Sequence, residues 1–181
     1  VKEGGCEAVK FEGAGRLLSL IERLTEAGIP VMAHLGLTPQ SIHSIGGFKV
    51  QGKAGKAAEK LISDAKKVEE AGAFSLVLEC VPQEVAKVIT SELKIPTIGI
   101  GAGPDVDGQI LVFHDIMDLL PGYQPRFVRN YAHLGETIVN AVKNYIGDVH
   151  SGEYPSQDES FSTGESSLQK LVNGSESKEK E

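Results

Sequence analysis

The chain alternates short apolar runs with amphipathic segments from its start to Val149, and this alternation constrains the fold more than any other feature. The apolar runs predict five strands, at Ala8–Glu12, Pro30–Leu35, Ser75–Glu79, Thr97–Gly101 and Ile110–His114. Most intervening segments place apolar residues at i, i+3, i+4 and i+7, which is the period of a helix packed on one side. Parallel strands need such crossovers, so the sequence predicts a parallel α/β sheet.

A last helix is predicted beyond the fifth strand, with its apolar stripe beginning at Phe127 and Tyr131 and running to Tyr145. The sheet can close in two ways, as an open doubly wound sheet or as a (β/α)₈ barrel. Similar junctions recur before three strands, at residues 26–30, 70–73 and 93–96. Equivalent units favour the barrel. A barrel of this kind has roughly 250 residues, so 181 residues supply about five of its eight units.

Composition divides the chain near residue 161 and limits its partners. We expect residues 1–161 to form the partial barrel and residues 162–181, rich in acidic residues and Ser, to be a disordered tail. The net charge is −7, and the chain has no basic stripe that could bind nucleic acid. No apolar run approaches the roughly 20 residues that span a membrane. Two widely separated cysteines indicate reduced thiols and a cytoplasmic protein, and the first residue, Val1, indicates that a preceding segment is absent.

Polar side chains stand at the carboxyl ends of the predicted strands, where α/β proteins gather their reactive groups. Glu79 ends a very apolar strand, which suits a proton acceptor as well as a carboxylate that is simply solvated. Lys10 and Glu12 share one face of the first strand. They suit either a Mg²⁺ site with Glu12 as a ligand or a plain ion pair. His34 suits either a hydrogen-bond donor to a substrate or a structural histidine.

The motifs of the chain, taken in order, resemble those of the ketopantoate hydroxymethyltransferase family. They are Val9–Gly13, His34–Gln40, Gly46–Gly52, Leu78–Pro82, Ile98–Gly103 and Asp107–Asp115. Their common order and spacing make the resemblance specific over about residues 1–161, as the C-terminal part of the family's chain. Ala14 departs from a glycine that is usual in the family.

The resemblance implies a (β/α)₈ TIM barrel of the phosphoenolpyruvate/pyruvate type, assembled as a homo-oligomer, which in the family is a decamer. It implies transfer of a hydroxymethyl group from 5,10-methylenetetrahydrofolate to 3-methyl-2-oxobutanoate, giving 2-dehydropantoate on the route to pantothenate and coenzyme A. By position, Glu12 matches a Mg²⁺ ligand, Lys10 and His34 match substrate-pocket residues, and Glu79 matches the catalytic base.

The family's first three strands also carry two aspartates of the metal site and a serine that contacts the substrate, so we expect this fragment alone to be inactive. Two other functions suit the same residues. One is a carbon–carbon lyase of the same barrel superfamily acting on 2-oxo or 2-hydroxy acids. The other is a non-catalytic assembly or binding protein built on the same fold.

Overall fold

A computed structural model describes residues 3–41, 49–53 and 55–163 of the chain. The chain divides into two compact units, Val1–Ala132 and His133–Glu181. The first unit contains a sheet of five parallel strands. The strands are β1 (Val9–Glu12), β2 (Val31–Gly36), β3 (Ser75–Glu79), β4 (Thr97–Ile100) and β5 (Gly108–Gln109). The prediction of five parallel strands is therefore confirmed.

Helices follow the first three strands of this unit. They are α1 (Leu18–Glu26), α2 (Lys56–Glu70) and α3 (Gln83–Glu92), and a short helix α4 (Phe113–Ile116) follows β5. Single 3₁₀ turns lie at Gly15–Leu17 and Pro39–Ser41. Pro82 caps the start of α3, where its missing N–H would have had no partner within the helix.

The strands lie in the sheet in chain order, from β1 to β5. One apolar core joins the sheet to the helices. It includes Ile21 of α1, Val68 of α2, Ile89 of α3, and Leu76 and Leu78 of β3. Leu76 and Leu78 point to one face of the sheet, and the residues that alternate with them along β3 point to the other. Because the helices pack against Leu76 and Leu78, all three cover the same face.

This arrangement distinguishes the two closures left open by the sequence. A doubly wound sheet reverses its strand order at a switch point and carries helices on both faces. The described strands show no reversal, and α1, α2 and α3 share one face. Sequential order with one helical layer is the topology of a (β/α)₈ barrel, so the chain contributes five strands of such a barrel.

The predicted fifth strand, Ile110–His114, is wrong in position. β5 ends at Gln109, and Phe113–Ile116 is helical. The reason is that β4 ends at Ile100 and turns at Gly101, which has φ +66°. The backbone N–H of Ile110 makes a last bond to Gly99, and the apolar residues that follow have no strand to pair with among the described residues.

The second unit contains helix α5 (Leu134–Ser151), ended by Gly152 in the left-handed conformation that favours glycine. The predicted last helix began its stripe at Phe127 and Tyr131, but both residues precede α5, so that part of the prediction is wrong. The predicted boundary at residue 161 stays a prediction, because residues 164–181 lie outside the described part of the chain. No helix among the described residues is long and apolar enough to cross a membrane.

Candidate functional site

The face of the sheet opposite the helices carries the four predicted site residues. In the β1–β2 register Glu12 pairs with His34, and in the β2–β3 register Gly36 pairs with Glu79. Paired residues of parallel strands point to the same side, and so do residues two apart along a strand. Lys10, Glu12, His34 and Glu79 therefore share one face near the carboxyl ends of three adjacent strands, and we call this group the site face.

Three of these side chains form a continuous line of contacts. The ammonium of Lys10 lies 3.2 Å from Nδ1 of His34, and Nε2 of His34 lies 3.1 Å from Oε2 of Glu79. His34 is only 2% exposed, whereas about half of the Lys10 side chain is open to solvent. The line therefore runs from a solvent-facing cation to the carboxylate predicted to be the base.

The contact with Lys10 indicates which nitrogen of His34 carries the ring proton. An ammonium group can only donate, so we assign the acceptor role to Nδ1 and the ring proton to Nε2. That N–H lies beside the Glu79 carboxylate, but the angles there are not those of a hydrogen bond. Nε2 thus has no hydrogen-bond partner among the described residues. A buried, unpartnered N–H beside a carboxylate is a donor available to a bound oxygen atom.

Glu12 lies at the edge of this line. Its Oε2 accepts a hydrogen bond from the backbone N–H of Gln40 at 3.0 Å, and its Oε1 lies 4.0 Å from the Lys10 ammonium. A carboxylate oxygen is the ligand type that Mg²⁺ prefers, so Glu12 fits the role of one ligand. Within the described ranges no group of three acidic, His or Cys residues could hold a metal ion, so these residues alone do not complete a site.

Backbone geometry directs Glu79 toward the site face. Cys80, the next residue, has φ +49°, a value that residues other than glycine rarely adopt. Its N–H donates to Ile100 at 2.9 Å and its carbonyl accepts from Gln51 at 2.8 Å. Gly36 allows β2 to pass close by, because a Cβ there would lie 2.2 Å from the Glu79 carbonyl oxygen. Strain of this kind collects at functional sites.

A cavity of about 250 Å³ opens beside Glu79 and is lined by Ile100, Arg126 and Phe127, among others. None of these residues is predicted as part of the site: the sequence indicates Ile100 only as part of a strand and Phe127 only as the start of a helical stripe, and Arg126 and Phe127 lie on the loop between α4 and α5. The sequence reasoning also missed Cys80 and the backbone of Gln40 as parts of the site. The quoted motifs at residues 34–40 and 78–82 contain both, but a pattern of residue types says nothing about backbone angles.

Comparison with known proteins shows the family of this chain. The family model described as ketopantoate hydroxymethyltransferase matches residues 1–157. The chain belongs to this family. It is 53% identical over 171 residues to a 3-methyl-2-oxobutanoate hydroxymethyltransferase of Clostridium botulinum, covering 94% of this chain and 62% of that protein.

Two further relatives carry the same name. The protein of Clostridioides difficile is 52% identical over 94% of this chain, and that of Geobacter metallireducens is 54% identical over 90%. The chain spans 62% of the length of the first and 61% of the second. Membership of the ketopantoate hydroxymethyltransferase family confirms the resemblance, and the barrel topology agrees with it. The roles of Lys10, Glu12, His34 and Glu79 stay predictions.

Proposed function

We propose that the protein to which this chain belongs transfers a hydroxymethyl group from 5,10-methylenetetrahydrofolate to 3-methyl-2-oxobutanoate, giving 2-dehydropantoate for pantothenate synthesis. The observation that carries the proposal is the line of contacts from Lys10 through His34 to Glu79 on the site face. It sets a cation and a buried N–H donor beside a carboxylate. A 2-oxo acid needs these groups: partners for its oxygen atoms and an acceptor for a proton on C3.

Each residue has a distinct task in this proposal. The exposed ammonium of Lys10 binds the substrate carboxylate, and the Nε2–H of His34 donates to a substrate oxygen on which negative charge develops. Glu79 takes the proton from C3 and so makes that carbon nucleophilic. The new carbon–carbon bond forms to the methylene carbon of the donor. The bonds that joined this carbon to the two nitrogen atoms of the donor break. One water supplies the new hydroxyl group, the C3 proton and the second proton of that water go to the two nitrogen atoms of the donor, and tetrahydrofolate is released.

Mg²⁺ is proposed as the metal, with Glu12 as one of its ligands. When bound, it stabilises negative charge on the keto oxygen of the substrate. By the family resemblance, two aspartates of the family's first three strands are further ligands. We also propose that the protein acts in the cytoplasm as a homo-oligomer, a decamer as the family resemblance implies.

The proposal is tested by the Glu79→Gln variant of the full-length protein. Exchange of the C3 proton of 3-methyl-2-oxobutanoate with solvent, followed by proton NMR, requires no folate and isolates the step assigned to Glu79. We expect exchange to slow by roughly 10²–10⁴-fold, because the amide cannot accept the proton. Glu70→Gln, the same change at the end of α2, is the matched control and should exchange at the wild-type rate. Equal rates in Glu79→Gln and wild type would remove Glu79 from this role.

The carbon–carbon lyase remains the second candidate, because its substrates need the same oxygen contacts and the same proton acceptor. The two functions differ in their need for the one-carbon donor. Product formation by the full-length protein is measured with and without 5,10-methylenetetrahydrofolate. Turnover that depends on the donor supports the transferase, whereas cleavage of a 2-hydroxy or 2-oxo acid without it supports the lyase.

A further inference from the structure

We propose that the cavity beside Glu79 binds the folate donor, with the ring of Phe127 as the surface on which its aromatic system lies. This inference rests on the proposed function and assigns the second substrate to named residues. The cavity of about 250 Å³ adjoins another of about 440 Å³, and the two share Val50, Cys80, Arg126 and Phe127 as walls. Ligand sites typically hold roughly 300–1,000 Å³, so the joined space suits a ligand larger than the 2-oxo acid. We call it the Phe127 cavity.

The position of the Phe127 ring depends on Gly101. A Cβ added at Gly101 would lie 2.6 Å from Cδ1 of Phe127, so the ring packs directly against the backbone at the end of β4. Gly103 has a similar restriction, since a Cβ there would lie 2.3 Å from Cβ of Gln83. Gly101 and Gly103 of the Ile98–Gly103 motif therefore allow Phe127 and Gln83, which line the cavity, to pack closely against the backbone. A ring held in this way offers a flat surface of fixed orientation to a planar ligand.

The charges around the ring match those of a folate. Arg126 lines both parts of the Phe127 cavity, and Arg129 lines a neighbouring cavity of about 350 Å³ that also contacts Phe127. Neither arginine forms an ion pair with another described residue. They can therefore bind the carboxylates of the folate tail. Asp115 lines the part of the cavity nearest Glu79, and its carboxylate suits the amino and N–H groups of the pterin ring.

This placement also satisfies the chemistry of the transfer. Glu79 lines the cavity, so a ring system lying on Phe127 brings its methylene group to the side of the site face where the C3 proton is removed. The 2-oxo acid, held by Lys10 and His34, occupies the site face itself. The two substrates thus meet at Glu79 from different sides, which places the reacting carbon atoms next to each other.

The test is the Phe127→Ala variant of the full-length protein, with tetrahydrofolate binding measured by calorimetry. We expect binding to weaken about tenfold, because the stacking surface is lost. Phe127→Tyr keeps the ring and should restore affinity. Phe74→Ala is the matched control, since Phe74 is a partly exposed phenylalanine in the loop before β3, at the opposite end of the sheet. This variant should bind tetrahydrofolate as the wild type does.

Proton exchange of the 2-oxo acid, measured on the same preparations, separates this inference from the proposed function. Loss of folate affinity in Phe127→Ala with continued exchange supports the cavity as the donor site. Wild-type affinity in Phe127→Ala overturns the inference, and so does equal loss of exchange and affinity, which would mean that the ring supports the fold. A wild-type protein that neither exchanges nor transfers contradicts the proposed function, whereas its binding of tetrahydrofolate through Phe127 would still support the cavity.

Discussion

Cys80 shows how a single residue connects backbone conformation to the chemistry of its neighbour. Its left-handed φ of +49° costs a residue with a side chain roughly 1–2 kcal/mol. Hydrogen bonds to Ile100 and from Gln51 hold it in place. Because the peptide is held on both sides, the Glu79 side chain keeps its direction toward His34. The same turn places the Cys80 thiol in the wall of the Phe127 cavity.

The reactivity of Cys80 should report on this environment. Burial and the negative charge of Glu79 raise the pKa of the thiol from 9.0 to about 11. The thiolate is the reactive form, so alkylation by iodoacetamide should be slow at pH 8 and increase about tenfold for each pH unit up to about 11. In Glu79→Gln, without that charge, alkylation at a given pH should be faster. Peptide mass spectrometry against time measures both rates.

The exposed thiol of Cys6 is the internal control for this measurement. Alkylation of Cys80 as fast as that of Cys6 in the folded protein at pH 8 would contradict the prediction. The same shift affects stability, because the unfolded thiol ionises at a lower pH than the folded one. The contribution of the protonated Cys80 thiol to the stability of the fold is therefore complete below about pH 9. This contribution is lost as the pH rises to about 11.

Glu12 should determine the affinity for metal. Glu12→Ala in the full-length protein removes one oxygen ligand, so we expect calorimetry to show Mg²⁺ binding weakened far more than in Glu79→Gln. Glu7→Ala is the matched control, because Glu7 is exposed and lies just before β1. If Glu12→Ala and wild type bind Mg²⁺ equally well, the carboxylate serves only the Gln40 backbone and Lys10.

At the scale of elements, the start of β4 depends on an aspartate from the loop before β5. Oδ2 of Asp107 accepts hydrogen bonds from the backbone N–H of Thr97 at 2.8 Å and from its hydroxyl at 3.0 Å. Thr97 is fully buried, so no water can replace this partner. Asp107 therefore connects two neighbouring strands, which gives the Asp107–Asp115 motif a structural role at its first residue.

Removal of this carboxylate should destabilise the sheet measurably. We expect Asp107→Ala to lower the free energy of unfolding by about 1–3 kcal/mol, because the buried N–H of Thr97 loses its acceptor, whereas the Thr97 hydroxyl keeps the hydroxyl of Thr90 at 2.9 Å as a partner. Asp105→Ala, in the same loop, removes only an exposed contact with Lys87 and should cost less than about 1 kcal/mol. Urea unfolding of the full-length protein measures both. Equal losses in the two variants would show that Asp107 does not connect the strands.

At the scale of the whole molecule, the chain presents surfaces that require cover. β1 and β5 each have one edge without a partner among the described strands, and such edges pair with other chains. Helix α5 has no buried residue in the described structure, and its apolar side chains, including Ile138, Val142 and Ile146, are about half exposed. Exposed apolar stripes of this length favour association.

We therefore expect the 181-residue chain, produced alone, to aggregate or fold loosely and to lack hydroxymethyltransferase activity. Size-exclusion chromatography with light scattering and the transfer assay check these outcomes. Co-expression with the part of a full-length relative that the chain does not cover should restore solubility and turnover, because it can cover the strand edges. A monomeric, cooperatively folding and active chain would contradict this prediction.

Much of the fold follows from local pattern, because burial on one side imposes a period that the sequence itself displays. The run Ser75–Glu79 is a short apolar segment between two helical segments, and it predicts a strand with the bounds that β3 has. Lys10 and Glu12 were placed on one face by the period of two of a strand. Glu79 was placed at a strand end because apolar residues before it form a strand and Pro82 starts a helix. These conclusions need only residues within a few positions of one another.

The remaining features depend on contacts between residues distant in sequence. The link from Lys10 to His34, and from His34 to Glu79, requires the register of three strands. The end of β5 depends on where β4 turns away, which is why an apolar run at Ile110–His114 does not form a strand. Phe127 reaches the end of β4 only because the chain returns there after α4, and Gly101 leaves room for its ring. Residue type indicates which groups are buried, but long-range packing determines which of them meet.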